Sequence, residues 1–245
     1  MEKRSIAFSD LVLTVNIACQ NLYSARSCRR DKIRVVLNSP DDHIFRFRSA
    51  NLNESNGEML AKSYSILYHG SLVARNGLDL AVKALETIRR SIPNVKLVIC
   101  GDRTPFLDKA MELARERQLE NNIDYLGVQN LNGIVAAISA SDLGIIPNQK
   151  NIFTEINTPT RIFEYLALGK PVIAPRTRAI QDYFGDHDLL YFELGNAEDL
   201  ARQIEYAFSH SKEVAEITQR GQGVYLDHTW TREKSQFLDA VGELV

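Results

Sequence analysis

Short apolar runs alternate with longer amphipathic stretches along the chain from residue 65 onwards. The short runs are rich in Val, Ile and Leu, which is typical of strands buried on both faces of a sheet. The longer stretches repeat apolar residues at helical spacing. This alternation predicts an α/β fold, a Rossmann-like doubly wound parallel sheet covered by helices. The predicted strands are Ser65–Tyr68, Lys96–Cys100, Ile123–Leu126, Leu143–Pro147, Pro171–Ala174 and Leu189–Phe192. The predicted helices are Leu78–Ser91, Pro105–Gln118, Leu131–Ala140, Thr160–Leu168, a short one near Ile180–Phe184, Ala197–His210 and Thr231–Leu244.

A smaller unit precedes this domain. Two apolar runs, Leu11–Val15 and Ile33–Leu37, flank the helix-compatible stretch Asn16–Cys28 and predict a strand, a helix and a strand. Polar, turn-forming residues then dominate as far as Ser63, which indicates a linker. The predicted organisation is therefore an N-terminal unit (1–45), a linker (46–62), the α/β domain (63–222) and a C-terminal helix (223–245).

Composition narrows the class of protein. A chain of 245 residues with 44% hydrophobic content can bury a sizeable core, and its net charge is only −2. No run approaches the roughly 18 apolar residues of a membrane span, and the N-terminus lacks the apolar segment of a secretory signal. The three cysteines form no disulfide or zinc pattern, and no basic, aromatic-interleaved face suggests nucleic acid. These features predict a cytoplasmic protein that is at most peripheral to a membrane.

Loops that follow parallel strands are the places to look for a site, because the carboxyl ends of such strands meet at one edge of the sheet. The loop HGSLVARNG brings Gly70 and Gly77 close to a ligand and offers Arg75 to an anion, although ordinary turn glycines are the alternative. In the loop CGDRTP, Thr104 is predicted to cap the next helix, with Pro105 in its first turn.

The stretch NTPTRIFEYLALGKPVIAP carries the strongest pattern. Thr158 followed by Pro159 predicts a helix N-cap with proline at the first helical position. The N–H groups of Thr160 and Arg161 would then be free to bind a phosphate. Glu164 interrupts an apolar run one turn later, so its carboxylate could accept hydrogen bonds from a vicinal diol such as ribose. The alternative is a solvated Glu164 that pairs with Arg161 on the helix surface.

These segments together resemble known enzymes. The order of KIRVVLNSPDDHIF, YHGSLVARNGLDLAVKAL, KLVICGD and FEYLALGKPVIA is similar to that of retaining glycosyltransferases of the GT-B fold, family 4 (glycosyltransferase group 1). In that family an N-terminal Rossmann-like domain holds the acceptor and a C-terminal one holds the nucleotide-diphosphate sugar. The resemblance implies transfer of a sugar with retention to a glycan or lipid-linked acceptor, in polysaccharide or glycoconjugate biosynthesis, with no metal or other cofactor.

Roles carry over by position. The resemblance implies that Glu164 is the catalytic-site residue that binds the ribose hydroxyls, and that the amides of Thr160 and Arg161 hold the diphosphate. It also implies that the nucleobase lies against the loop after the third strand, which is formed by Gly127, Val128 and Gln129.

The chain departs from the family pattern at its charged positions. The family's second glutamate falls on Ile156, with Glu155 one place out of register, and the alternative is that a small shift in the loop brings Glu155 into use as a donor-binding residue. Its phosphate-binding arginine and lysine fall on Ser71 and Asn76. Arg75 and Arg161 are the cations that could replace them, since guanidinium binds phosphate oxygens bidentately.

The N-terminal unit matches only the closing part of the family's acceptor domain. None of the five histidines matches the family's active-site histidine, and His69 is interpreted as a packed imidazole. We therefore expect a donor-binding part that is inactive alone, with self-association or a partner at the exposed strands of residues 1–40. The alternatives are half of a split transferase or a non-catalytic nucleotide-binding module. An oxidoreductase is disfavoured because no G-x-G-x-x-G follows a strand.

Overall fold

A six-stranded parallel sheet organises most of the chain in the computed structural model, which describes residues 1–50, 63–92 and 94–244. The strand order is β5-β4-β3-β6-β7-β8. Because the order reverses between β3 and β6, the switch point that binds ligands in such sheets lies at the carboxyl ends of these strands. The strands are β3 (Ser65–His69), β4 (Lys96–Cys100), β5 (Ile123–Gly127), β6 (Leu143–Ile145), β7 (Val172–Pro175) and β8 (Leu190–Phe192). They follow β1 (Val12–Thr14) and β2 (Ile33–Val35), which form a separate parallel pair.

Helices cover both faces of the large sheet. Ile66 and Tyr68 belong to one buried cluster and Leu67 to another, as the alternation of side chains along a strand requires. The doubly wound α/β prediction is therefore confirmed. The helices are α1 (Glu2–Phe8), α2 (Ile17–Arg26), α3 (Leu78–Ile88), α4 (Pro105–Glu116), α5 (Leu131–Ala140), α6 (Ile152–Glu155), α7 (Thr160–Ala167), α8 (Arg178–Gln181), α9 (Ala197–Ser209), α10 (Ser211–Asp227) and α11 (Trp230–Gly242). None of the described helices is long and apolar enough to cross a bilayer.

Three helices lie outside the sequence prediction: α1, α6 and α10. The longest, α10, contains Gly221 and Gly223, which lower intrinsic helix propensity. Gly221 is needed because a Cβ there would lie 2.5 Å from the carbonyl oxygen of Asp188. Tertiary contacts thus stabilise a helix that local propensity does not predict. The predicted boundary between the α/β domain and the C-terminal helix, at residues 222 and 223, falls inside this helix.

The N-terminal unit is anchored to the rest of the chain by polar side chains. Asn16 caps α2 and also donates from Nδ2 to the carbonyl of Ile156 at 2.9 Å. Glu233 of α11, only 2% exposed, accepts the amide of Leu37 at 2.8 Å and lies 2.7 Å from Nδ1 of His228. The strand–helix–strand prediction is confirmed, and the N-terminal unit contacts the C-terminal helix, α11, through Glu233.

The first residues of the predicted linker pack against the α/β domain. The amide of Arg48 donates to the carbonyl of Ala167, and the amide of Ala50 donates to Oε1 of Gln222. Phe45, just before them, is buried in the core cluster that contains α7. The rest of the predicted linker, 51–62, lies outside the described residues.

Candidate functional site

A cleft of about 310 Å³ opens at the carboxyl ends of β3, β4 and β5, the edge at which the sequence predicted a site. A second cavity, about 250 Å³, lies at the opposite edge beside Tyr64, Asp142 and Pro171. We assign the site to the first because open parallel sheets bind ligands at the carboxyl ends of their strands. Its lining residues are Phe45, His69, Gly70, Ser71, Cys100, Gly101, Asp102, Val128, Gln129, Leu131, Ile134 and Glu164.

Two glycine-bearing loops form the floor of the cleft. Gly70 has φ +117°, and a Cβ on Gly101 would lie 2.3 Å from the carbonyl oxygen of Gly70. The loops after β3 and β4 can therefore approach each other only without side chains at these positions. Gly77, at φ +69°, closes the first loop against the carbonyl of Pro147, 1.7 Å from where a Cβ would stand. These contacts are made within the protein, so the predicted approach of Gly70 and Gly77 to a ligand stays a prediction.

Glu164 and His69 meet inside the cleft. Nε2 of His69 lies 3.3 Å from Oε2 of Glu164, with the two side chains 5% and 17% exposed. The contact lies outside hydrogen-bond geometry, so the buried Nε2 has no hydrogen-bond partner among the described residues. The alternative of a solvated Glu164 paired with Arg161 is wrong, because the carboxylate faces the cleft and not the solvent.

Burial shifts the ionisation of both groups. Burial raises the pKa of Glu164 to about 7, and the nearby charge of Arg161 opposes part of that rise. Burial, together with the same guanidinium, lowers the pKa of His69 to about 3. At neutral pH the imidazole is therefore uncharged, while Glu164 is close to its titration midpoint.

The side chain of Arg161 is hydrogen-bonded to the backbone of β3. Its Nη1 donates to the carbonyl of His69 at 2.6 Å, and its guanidinium lies 5.3 Å from the ring centroid of Tyr68. Gly70 lies beside this side chain, and a Cβ there would be in van der Waals contact with Cδ of Arg161 at 3.4 Å. The charge is therefore held next to Glu164, where it favours the carboxylate form.

The start of α7 differs from the predicted cap. The helix begins at Thr160 with Pro159 as N-cap, so the prediction of Thr158 as N-cap is wrong. The hydroxyl of Thr158 instead donates to the carbonyl of Ala179 and accepts from Nδ2 of Asn16, because Thr158 is buried against α8 and α2. The amides of Thr160 and Arg161 have no acceptor among the described residues, as expected for a first helical turn.

The positions that lack the family's cations have local partners. The carbonyl of Ser71 accepts from the hydroxyl of Tyr68 at 3.0 Å and from Nδ2 of Asn76 at 2.8 Å. Asn76 therefore braces the first loop. Arg75 is exposed and its guanidinium lies 5.0 Å from the ring centroid of Phe153. Of these three predicted residues, only Ser71 lines the cleft.

The remaining predicted residues lie at the end of β5 and in α6. Gly127 ends β5 with φ +69°, and its carbonyl accepts the amide of Gly101. Val128 follows it, 67% exposed, on the wall of the cleft. Glu155 is the last residue of α6 and Ile156 is its C-cap, so the out-of-register glutamate ends a single helical turn.

One group of potential metal ligands occurs among the described residues. Ligand atoms of Asp41, Asp42 and His43 lie within 4.8 Å of one another on the loop after β2. Local bonds account for part of this arrangement, since Asp41 accepts the amide of His43 and Asp42 accepts the amide of Thr231. None of the three lines the cleft.

Comparison with known proteins decides the family. The model described as glycosyl transferases group 1 matches residues 53–224, more than half of the chain. The chain belongs to this family. No curated protein sequence gives a significant match.

Solved glycosyltransferase structures share the fold of this group 1 chain. Anabaena HepE, solved in complex with UDP, matches with a TM-score of 0.81 at 17% identity, covering 98% of this chain and 65% of HepE. Sucrose-phosphate synthase from Thermosynechococcus elongatus gives 0.81 at 17% identity, covering 99% and 60%. The C-terminal domain of LpcC, a group 1 protein from Francisella tularensis, gives 0.61 at 18% identity, covering 77% and 97%. The helix-flanked parallel sheet thus matches GT-B glycosyltransferases, and the chain spans about 65% of the length of HepE.

Sequence reasoning missed several residues of the cleft in this glycosyltransferase group 1 chain. Phe45 reaches it from the end of the N-terminal unit, and Cys100 reaches it as the register partner of His69 on β4. Nothing local in the sequence marks Phe45. The position of His69 at a strand end beside Gly70 is a signal for a residue of the cleft. The interpretation of His69 as a packed imidazole explains its burial, but it does not explain why Nε2 has no partner among the described residues.

Proposed function

We propose that the cleft binds a nucleotide-diphosphate sugar and that the chain is the donor-binding part of a glycosyltransferase. The observation that carries this proposal is Glu164, a carboxylate buried at the cleft on a helix whose first two amides have no acceptor among the described residues. A carboxylate and free helix N–H groups are the acceptor and donor sets that a ribose and a diphosphate require. HepE, which shares the fold, has been solved with UDP and with UDP-glucose.

Each part of such a donor has a place in the proposal. The carboxylate of Glu164 accepts hydrogen bonds from the ribose hydroxyls. The diphosphate lies at the start of α7, where the amides of Thr160 and Arg161 and the helix dipole favour negative charge. The base lies against Val128 and Leu131, whose exposed apolar side chains line the cleft.

Transfer itself is the finer part of the proposal. The sugar passes with retention to a glycan or lipid-linked acceptor, with no metal in the donor site. Groups on the acceptor side must complete the reaction, so this chain alone binds donor without efficient transfer. We place the protein in the cytoplasm, at most peripheral to a membrane, which is consistent with its three free cysteines.

Titration calorimetry with UDP, UDP-glucose, GDP-mannose and NAD tests the proposal. Binding of one nucleotide sugar, with affinity lowered about 10- to 100-fold in Glu164→Gln, is the expected result, because hydrogen bonds to a charged group are each worth about 1.5–3 kcal/mol. Glu216→Gln, at an exposed carboxylate of α10 that does not line the cleft, is the matched control for losing a carboxylate. Equal affinity of the wild type and Glu164→Gln for the nucleotide sugar would contradict the assignment.

A second candidate is a nucleotide-binding module without transferase activity. It is favoured by the first loop, where Nδ2 of Asn76 donates to the carbonyl of Ser71. Among the described residues that line the cleft, none is a lysine or an arginine. Release of labelled glucose from UDP-glucose distinguishes the two candidates. Slow turnover, abolished in Glu164→Gln, supports the transferase, whereas tight binding with no turnover supports the module.

A further inference from the structure

His69 is a buried polar group whose hydrogen bonding is incomplete. It is 4% exposed, its Nε2 has no hydrogen-bond partner in the described part of the chain, and it lines the same cleft as Glu164. Buried polar atoms in folded proteins nearly always have partners, so an orphan at a cleft indicates a bond that forms in another state of the site. Oε2 of Glu164 lies 3.3 Å away and is an acceptor that this bond could use.

The imidazole is the fixed member of this pair. Its ring packs edge-to-face on Tyr165 with centroids 5.1 Å apart, and the hydroxyl of Tyr165 is bonded to the carbonyl of Leu67. The backbone of His69 is held by strand pairing with Cys100 and by the guanidinium of Arg161. A small rotation of the Glu164 carboxyl group is therefore the motion that would bring the two atoms into hydrogen-bond geometry.

The surrounding groups determine which atom carries the proton. Arg161 supplies a positive charge beside the pair, whereas Tyr68, Tyr165 and Cys100 are neutral groups in contact with this part of the core. A second cation at His69 is disfavoured there, so the ring is a neutral imidazole with one N–H. When Glu164 is ionised it can only accept, which places that proton on Nε2.

We propose that His69 is a positioning residue that donates Nε2–H to Glu164 and orients its carboxylate towards the ribose hydroxyls. The inference rests on the proposed function, in which Glu164 binds ribose. A carboxylate has about four acceptor positions, so one bond from His69 leaves the others for a vicinal diol. The role is indirect, because His69 acts on the nucleotide through Glu164.

Binding of nucleotides with and without ribose hydroxyls tests this role. UDP, GDP and ADP are each titrated beside their 2′,3′-dideoxy analogues, into the wild type, Glu164→Gln, His69→Phe and His69→Gln. His69→Phe keeps the ring that packs on Tyr165 but removes the donor, whereas His69→Gln places an amide N–H near the former Nε2. Ile66→Val, a buried change on the same strand, is the control for a general effect on β3.

The wild type should prefer the nucleotide over its dideoxy analogue. His69→Phe should lose about five- to tenfold in affinity for the nucleotide, less than the loss expected for Glu164→Gln because His69 acts only through Glu164, and should bind the dideoxy analogue like the wild type. His69→Gln should restore most of the preference. Equal losses for both ligands in His69→Phe, or no loss for either, would overturn the proposal.

The two levels of the hypothesis fail separately. If Glu164→Gln keeps the full preference for ribose hydroxyls, the proposed function of Glu164 is wrong whatever His69 does. If Glu164→Gln loses it and His69→Phe keeps it, only the role of His69 is wrong. Should His69→Phe not fold, ¹⁵N NMR of the wild-type imidazole decides the question. An Nε2–H tautomer in the nucleotide complex supports the proposal, and an Nδ1–H tautomer contradicts it.

Discussion

At the scale of single residues, the site depends on placing a carboxylate where water is scarce. Glu164 lies in an otherwise apolar run and is carried into the cleft because Ile162, Phe163 and Tyr165 are buried around it. Burial is also what brings its pKa to about 7. The carboxylate can therefore reach a ligand in the cleft, but its burial makes the negative charge costly when the site is empty.

Replacing Glu164 by glutamine should make the protein more stable at high pH. The folded pKa, about 7, lies above the ordinary value of 4.5, so the folded state holds a proton that the unfolded chain has lost between these values. Stability of the wild type therefore falls as pH rises from about 4.5 to 7 on account of this group, whereas glutamine has no charge to bury. The advantage of Glu164→Gln should grow to at most about 3 kcal/mol at pH 8.

Urea denaturation of both proteins at pH 5, 6, 7 and 8 measures this difference. The lowered pKa of His69 makes the stability of both proteins rise with pH below pH 6.5. Comparing the two proteins at equal pH reduces the effect of His69 on the difference between them. A difference between the two proteins that does not change with pH would show that Glu164 is not desolvated.

At the scale of secondary-structure elements, the start of α7 combines free amides with a held guanidinium. Arg161 follows the first residue of the helix, and its side chain reaches back to the carbonyl of His69 on β3. The helix and the strand are thereby joined at the point where the diphosphate is proposed to lie. Arg75, by contrast, is exposed on a loop.

Removing Arg161 should weaken nucleotide binding more than removing Arg75. Arg161→Ala takes away a half-buried charge beside the proposed diphosphate site, and we expect a loss of about tenfold or more in affinity for UDP or UDP-glucose, in line with a charge-assisted contact. Arg75→Ala removes a solvent-screened charge and should cost less, with a loss that shrinks at high salt. Calorimetry at 50 and 500 mM NaCl measures both. Unchanged affinity in both variants would show that neither arginine replaces the missing cations.

At the scale of the whole molecule, the N-terminal unit is joined to the C-terminal helix. Glu233 accepts the amide of Leu37 at the end of β2 and contacts His228, while the hydroxyl of Tyr183 accepts the amide of Ile17. The bonds of Leu37 and Ile17 are long-range contacts, each made through a single polar side chain. Leu13 and Val15 nevertheless stay more than 40% exposed, so the expectation of a partner or self-association there stays a prediction.

Replacing Glu233 by alanine should loosen the N-terminal unit. The change leaves the buried amide of Leu37 without an acceptor, and we expect a loss of about 2 kcal/mol in the free energy of unfolding. Hydrogen exchange should accelerate at Val36 and Leu37 and much less in β3 and β4. Glu243→Gln, on the exposed face of the same region, is the control and should change little. Equal exchange in Glu233→Ala and the wild type would show that other contacts hold the unit.

Much of the fold could be predicted because its signals are local. Alternating apolar runs located every strand of the large sheet to within two residues, and Thr104 caps α4 as expected, with Oγ1 accepting the amide of Leu107. The cap of α7 was mistaken because Thr158 has long-range partners that compete with local capping. Helix α10 was missed because it contains two glycines, of which Gly221 serves close packing and not a turn.

The sequence by itself determined the α/β class, the family, and the presence of Glu164 and the free amides of Thr160 and Arg161 on one helix. These follow from periodicity and from residue order within short segments, which are encoded locally. Only the tertiary structure decided that His69 faces Glu164, that Arg161 turns back to β3, and that Asn76 braces the first loop. Such pairings join residues up to 95 positions apart, as in the His69–Glu164 contact, and they depend on which strands become neighbours and how their ends align, which no local pattern specifies.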